Sequence, residues 1–130
     1  MSIRFHLTLL VLFAFGAAYA ADPGDSAAGK AYFTQTCRQC HSAEPGDGGG
    51  EIGPSLVGVF GRTAGVGDTR FAYSAALENS KLLWNQQTLD RFLTDPAATV
   101  PGTTMAIPIP VKKDRDDVIA YFQSVASAAK

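Results

Sequence analysis

In the run NQQTLDRFLTDP, apolar side chains fall at Leu89, Phe92 and Leu93 with polar residues between them, the spacing of a helix that buries one face. The expected helix covers Gln86 to Thr94, and Pro96 stands just past its end. A second stripe, Val118, Ile119, Phe122 and Val125 within KDRDDVIAYFQSVASAAK, predicts a C-terminal helix. Asp114 is its expected N-cap, and Asp116 and Asp117 then occupy the first turn, where the helix dipole favours negative charge. Nearer the start, SAAGKAYFTQT sets Tyr32 and Phe33 on one face and predicts a helix from Ser26 to Cys37, capped by Asp25. Gly29 lies inside it. A glycine there costs roughly 1 kcal/mol against alanine, which is expected where another backbone passes close by. Ser74 is placed to cap a short helix through Asn79. Strand-like alternation is almost absent, and most of the 13 glycines crowd between Ser42 and Gly67, which excludes regular structure there. The pattern predicts an all-α fold of about four helices joined by long glycine-rich loops.

The first 20 residues follow a different rule. Arg4 precedes an apolar run from Leu7 to Ala18, and the small-residue pattern Ala18-Tyr19-Ala20 precedes the polar ADPGD. This is the grammar of a secretory signal peptide cleaved after Ala20; the apolar run is short of the ~20 residues that span a bilayer, and the alternative is an uncleaved tether. The expected organisation is therefore a signal peptide over residues 1–20 and one small domain over 21–130. Arg4 leaves with the signal, so ten Lys and Arg face twelve Asp and Glu, a formal charge of −2. No basic excess points to nucleic acid. Met1 and His6 leave as well. The exported domain then has one histidine, His41, and one methionine, Met105.

Its only cysteines, Cys37 and Cys40, sit in TCRQCH, immediately before His41. Cys-x-x-Cys in an exported chain can be a disulfide, a thioredoxin-type redox centre, half of a zinc site or a haem attachment. A structural zinc site draws on four Cys or His ligands, and only three exist here, all adjacent. A thioredoxin-like protein requires alternating strands and helices that this pattern lacks. A disulfide across so small a loop stabilises little. Neither of those last two readings needs His41. Cys-x-x-Cys-His is the c-type haem attachment signature, in which two thiols add to the porphyrin vinyl groups and the imidazole reaches the iron. Haem would also give a small, loop-rich domain a large apolar centre.

The domain resembles the class I c-type cytochromes of the mitochondrial cytochrome c and bacterial cytochrome c2 group over nearly all of residues 25–126. The pieces GKAYFTQTCRQCH, GPSLVGVFGRTAG, FAYSAAL, Trp84, LDRFLTDP, PGTTMAI and DDVIAYF occur in the family's order and at nearly its spacing. The resemblance implies a class I cytochrome c fold wrapped around one covalent haem c. It implies His41 as proximal and Met105 as distal iron ligand, a pairing that raises the potential and leaves no open site. Pro54 matches the residue whose carbonyl accepts the His41 ring N–H. Arg62, Tyr73, Ser74 and Trp84 match groups that satisfy the haem propionates. Gly29, Phe33, Val118 and Tyr121 match the contact between first and last helices, which accounts for the interior glycine.

Departures from the family pattern are also visible. Phe92 stands where a tyrosine commonly bonds the methionine sulfur. One extra residue falls between His41 and Gly53, and another between Met105 and Lys112, where Pro108 and Pro110 enter. Thr36, Ala97, Ala98 and Thr104 occupy positions where mitochondrial members carry docking lysines, leaving mainly Lys112 and Lys113. The expectation is a monomeric, non-enzymatic, periplasmic one-electron carrier with no small-molecule substrate. Its expected partners are redox proteins: membrane respiratory or photosynthetic complexes, or periplasmic dehydrogenases. The alternatives are a dedicated subunit of one periplasmic dehydrogenase and a ligand-binding or sensing haem protein.

Overall fold

The computed structural model describes residues 23–46 and 52–128. The expected signal segment, residues 1–20, lies outside the described residues. Helix α1 (Ser26–Tyr32) runs on into a π-helical turn (Phe33–Cys37), followed by α2 (Ala75–Ser80), α3 (Gln86–Thr94), α4 (Pro96–Thr99) and α5 (Lys112–Ala128). Among the described residues the one extended pairing is an isolated bridge between Thr63 and Leu83. The fold is all-α, as the apolar periodicity predicts.

Helices α1, α2 and α3 begin on side-chain caps. The Asp25 carboxylate accepts the N–H groups of Ala27 at 2.8 Å and Ala28 at 3.2 Å. The Ser74 hydroxyl accepts from Leu77 N–H at 3.2 Å. Asn85 and Thr88 exchange bonds, each side chain accepting the other's N–H at 2.9 Å, a capping box that fixes the start of α3. Pro96 ends α3 as expected, but it also opens the single turn α4, with Asp95 accepting from Ala98 N–H at 3.0 Å. Proline's fixed φ suits the first position of a new helix as well as it forbids continuing the old one.

The start of α5 differs from the sequence expectation. Asp114 is not the N-cap: the helix begins at Lys112, and Asp114 lies within its first turn. The Arg115 N–H donates to Val111 O at 3.2 Å, so Val111, with no capping side chain, stands at the boundary. The entry is fixed from further inside. Buried Arg115 donates through Nη1 to the carbonyls of Ile109 and Pro110, both at 2.9 Å, and through Nε to Asp90 on α3 at 2.7 Å. Asp116 and Asp117 accordingly sit one turn beyond Lys112 and Lys113 and pair with them at 2.7 and 2.6 Å.

Helix α1 packs on α5. A Cβ on Gly29 would collide with the Asp117 carbonyl and would fall 2.9 Å from the Val118 nitrogen, so only glycine permits this approach. Just past α1, at the start of the π-helical turn, Phe33 wedges between Tyr121 and Phe122, with ring centroids 5.6 and 5.9 Å from its own. Val118 and Ile119, almost fully buried, complete the contact. Polar bonds lock its edges: the Asp117 carboxylate accepts Asp25 N–H at 2.6 Å, and Tyr121 donates its hydroxyl to Glu44 at 2.9 Å. Gly29→Ala should destabilise the protein by about 3 kcal/mol, the upper part of the overpacking range, because the obstacle is backbone that cannot rotate aside. Denaturant titration of the pigmented protein checks this, and a loss below about 1 kcal/mol would show that the helices can separate freely.

Candidate functional site

The π-helical turn sets the direction in which the cysteine motif leaves α1. Arg38 N–H donates to Phe33 O at 2.9 Å, widening the last turn, and the N–H groups of Cys40 and His41 then fold back on Cys37 O at 3.1 and 3.0 Å. Cys37, Cys40 and His41 thereby face one cavity of about 360 Å³. Leu89, Phe92 and Leu93 of α3 and Val118 and Phe122 of α5 form much of its wall. Its size is that of a small-molecule or cofactor pocket.

His41 is held by its outer nitrogen. Nδ1 lies 2.7 Å from Pro54 O. A carbonyl only accepts, so Nδ1 carries the proton and Nε2 the lone pair. Nε2 has no hydrogen-bond partner among the described residues. Burial lowers the ring's affinity for a second proton and the Pro54 bond offsets this only partly, so the imidazole is neutral at neutral pH. The ring is also clamped from one side. A Cβ on Gly53 would fall 2.7 Å from Nδ1 and 2.9 Å from Nε2, and closer still to Cε1. Gly53 N–H in turn donates to Cys40 O at 2.9 Å, which ties the loop back to the motif.

Burial, reinforced by neighbouring Cys40, pushes the Cys37 thiol up to about 11. A redox-active Cys-x-x-Cys pair works through a depressed thiol pKa, so this environment is the opposite of a thioredoxin centre. Met105 lines the same cavity and packs against the apolar core. Arg62 donates through Nη1 to Val57 O at 2.9 Å and through Nη2 to Ser55 O at 3.2 Å, while its buried Nε has no partner among the described residues. A buried cationic donor without an acceptor is costly, and an anionic group would satisfy it. The Ser74 hydroxyl accepts from Leu77 in its cap, leaving its own proton available to the cavity. Tyr73 reaches the cavity with its ring, but its hydroxyl donates to Val66 O and accepts from Asp68 N–H, both at 3.2 Å. Trp84 is buried against Phe92, with centroids 5.0 Å apart.

All nine residues singled out from the sequence, Cys37, Cys40, His41, Pro54, Arg62, Tyr73, Ser74, Trp84 and Met105, line this one cavity. Two further residues were not singled out. Gly53 presses on the histidine ring; its place beside Pro54 was the only cue available. Asp68 is buried in the glycine-rich loop, where its carboxylate accepts the Ser55 N–H at 3.0 Å and the Arg70 N–H at 3.0 Å. Nothing in a run such as GVGDTR distinguishes it from a solvated loop acid.

These residues fit a haem: an apolar slot, a neutral imidazole with a free Nε2, a thioether lining the same slot, two thiols beside the imidazole and a guanidinium with one unmet donor. The cytochrome c family profile matches residues 26–126. A cytochrome c of Euglena viridis is 43% identical over 103 residues, covering 78% of this chain and 98% of that protein. A cytochrome c2 of Rhodoblastus acidophilus is 44% identical over 100 residues, covering 76% and 91%. Among solved structures, cytochrome cH from Methylobacterium extorquens superposes with a TM-score of 0.70 at 43% identity, covering 78% of this chain and 99% of that one. With this cavity and this similarity, the chain belongs to the cytochrome c family and is an electron carrier, not an enzyme.

Proposed function

We propose that the protein is an exported one-electron carrier of the periplasm, with one haem c joined to Cys37 and Cys40 through thioethers and ligated by His41 and Met105. The observation that carries this reading is the set of His41: proton committed to Pro54 at 2.7 Å, ring neutral, and Nε2 turned loose beside both cysteines. Bound there, the haem supplies a reversible one-electron couple whose His/Met ligation leaves no position open to exogenous ligands. The chain supplies the rest. Its apolar walls exclude water, Pro54 and Gly53 hold the imidazole in one orientation, and Arg62 Nε with the Ser74 hydroxyl offers donors to the haem propionates. Trp84 and the Tyr73 ring close that side. Export is supported by the signal-like residues 1–20, and a bacterial setting by the similarity to cytochromes c2 and cH.

Partner docking is read from the rim. Ile52, Ile107 and Val66 border the cavity at 72, 59 and 50% exposure, while Lys112 and Lys113 are each paired with a carboxylate one turn away. The residual basic spot expected at these lysines is thus largely neutralised in place. Contact with redox proteins, whether membrane respiratory or photosynthetic complexes or periplasmic dehydrogenases, then rests on apolar and small polar groups around the haem edge, including Thr36, Thr104 and Ala106. The same rim gives some support to a second reading, a subunit held tightly by one dehydrogenase; stable co-purification with such an enzyme would favour it.

Acid-acetone extraction should leave the pigment on the protein, and the intact mass should equal residues 21–130 plus one haem. Pigment that extracts cleanly would sink the proposal. In the ferric protein a weak sulfur-to-iron band is expected in the far red, and Met105→Ala should abolish it and admit carbon monoxide to the ferrous form. Ready carbon monoxide binding by the unmodified protein would favour a sensor instead. Stopped-flow reduction by the physiological partner should change less than about tenfold between low and physiological salt, since little net basic charge is left to be screened over roughly 8 Å. A steep decline with salt would reveal a basic docking face elsewhere.

A further inference from the structure

The peptide group between Pro54 and Ser55 is bonded at both ends. Its carbonyl oxygen accepts from His41 Nδ1 at 2.7 Å, and its N–H donates to the Asp68 carboxylate at 3.0 Å. Carboxylate, amide and imidazole therefore form one continuous chain through a single resonant unit. Pulling on the hydrogen of an amide N–H shifts electron density towards its oxygen, so a charged acceptor on one end makes the other end a better acceptor. A stronger bond to Nδ1–H gives the imidazole more anionic character and makes Nε2 a stronger donor. The Asp68 side chain is only 7% exposed, whereas Arg70, the cation beside it, is 85% exposed and reaches it at 3.5 Å. The carboxylate is therefore little neutralised by that pair. The Ser55 and Arg70 N–H groups hold Asp68 below the usual carboxylate range, which keeps it ionised at neutral pH.

The geometry around the peptide leaves it little freedom. The Ser55 hydroxyl is bonded to Ser42 at 2.9 Å, its carbonyl takes the Arg62 Nη2 donor at 3.2 Å, and Asp68 N–H is anchored to the Tyr73 hydroxyl. We propose that Asp68 is a positioning residue for His41, acting through the Pro54–Ser55 peptide, and that its carboxylate makes the ring a stronger electron donor to the haem iron. This rests on His41 being an iron ligand, as proposed above.

The test compares Asp68→Asn, Asp68→Glu and Glu78→Gln in the haem-loaded protein. Glu78, an exposed acid packed against Gly65 of the loop that carries Asp68, makes no hydrogen bond to the Pro54–Ser55 peptide, so its replacement controls for the loss of an acidic charge beside that loop. Asp68→Asn should raise the reduction potential more than Glu78→Gln does. In a Met105→Ala background, where the ferrous iron lacks its sulfur ligand, resonance Raman should show the iron–imidazole stretch moving to lower frequency with Asp68→Asn, staying put with Glu78→Gln and partly recovering with Asp68→Glu. A stretch that is present but indifferent to Asp68 overturns the relay alone. No iron–imidazole stretch at all overturns the ligation reading and the relay with it. If Asp68→Asn yields no pigmented protein, NMR of the ferrous wild type decides: the Ser55 amide and His41 Nδ1 protons should both lie downfield and exchange slowly, and an ordinary, freely exchanging Ser55 amide overturns the proposal.

Discussion

Helix α1 lies directly on the backbone of α5 at Gly29, and this approach sets the position of the cysteine motif further along the chain. It brings Phe33 between Tyr121 and Phe122, which pins the last ordinary turn of α1. The widened turn beyond it starts from this fixed point and releases Cys37, Cys40 and His41 towards the cavity. Because Val118 and Phe122 also wall that cavity, α5 serves as both the anvil for α1 and one side of the site. A displacement at Gly29 therefore propagates to the histidine without any loop having to move independently.

The loops obey a different physics. With almost no partner strands, their carbonyl and N–H groups still need bonds once buried. Three charged side chains take that part: Arg62 binds the carbonyls of Val57 and Ser55, Asp68 binds the N–H groups of Ser55 and Arg70, and Arg115 binds the carbonyls of Ile109 and Pro110. Each gathers backbone groups outside regular secondary structure into one shape. Arg62 and Asp68 converge on the segment that holds His41, while Arg115 fixes the stretch after Met105. The rigidity of both proposed ligand loops thus depends on ionic hubs and not on apolar burial alone.

Periodicity located the main helices because their buried faces are local facts of sequence. Asp25 and Ser74 were legible as caps for the same reason. The start of α5 was not, since Asp114 has the right chemistry but Arg115, reaching back to Ile109 and Pro110, decides where the helix begins. α4 was missed because Pro96 reads first as a stop. The nine candidate residues were legible because Cys-x-x-Cys-His is a contiguous motif and the others belong to a family pattern, and they gather on one cavity. Gly53 and Asp68 escaped notice because each acts on a neighbour distant in sequence, a histidine ring in one case and a peptide in the other.

The widened turn at Phe33–Cys37 has a consequence for how this chain can vary. Removing one residue from it would restore ordinary helical bonding and give a locally better helix. It would also rotate everything beyond the deletion by roughly 100° about the helix axis. The cysteines and the histidine would then emerge on another side of α1, out of register with Pro54. Helix formation and the proposed haem attachment pull in opposite directions over these five residues, so their number is held as tightly as the identities of Phe33 and Cys37.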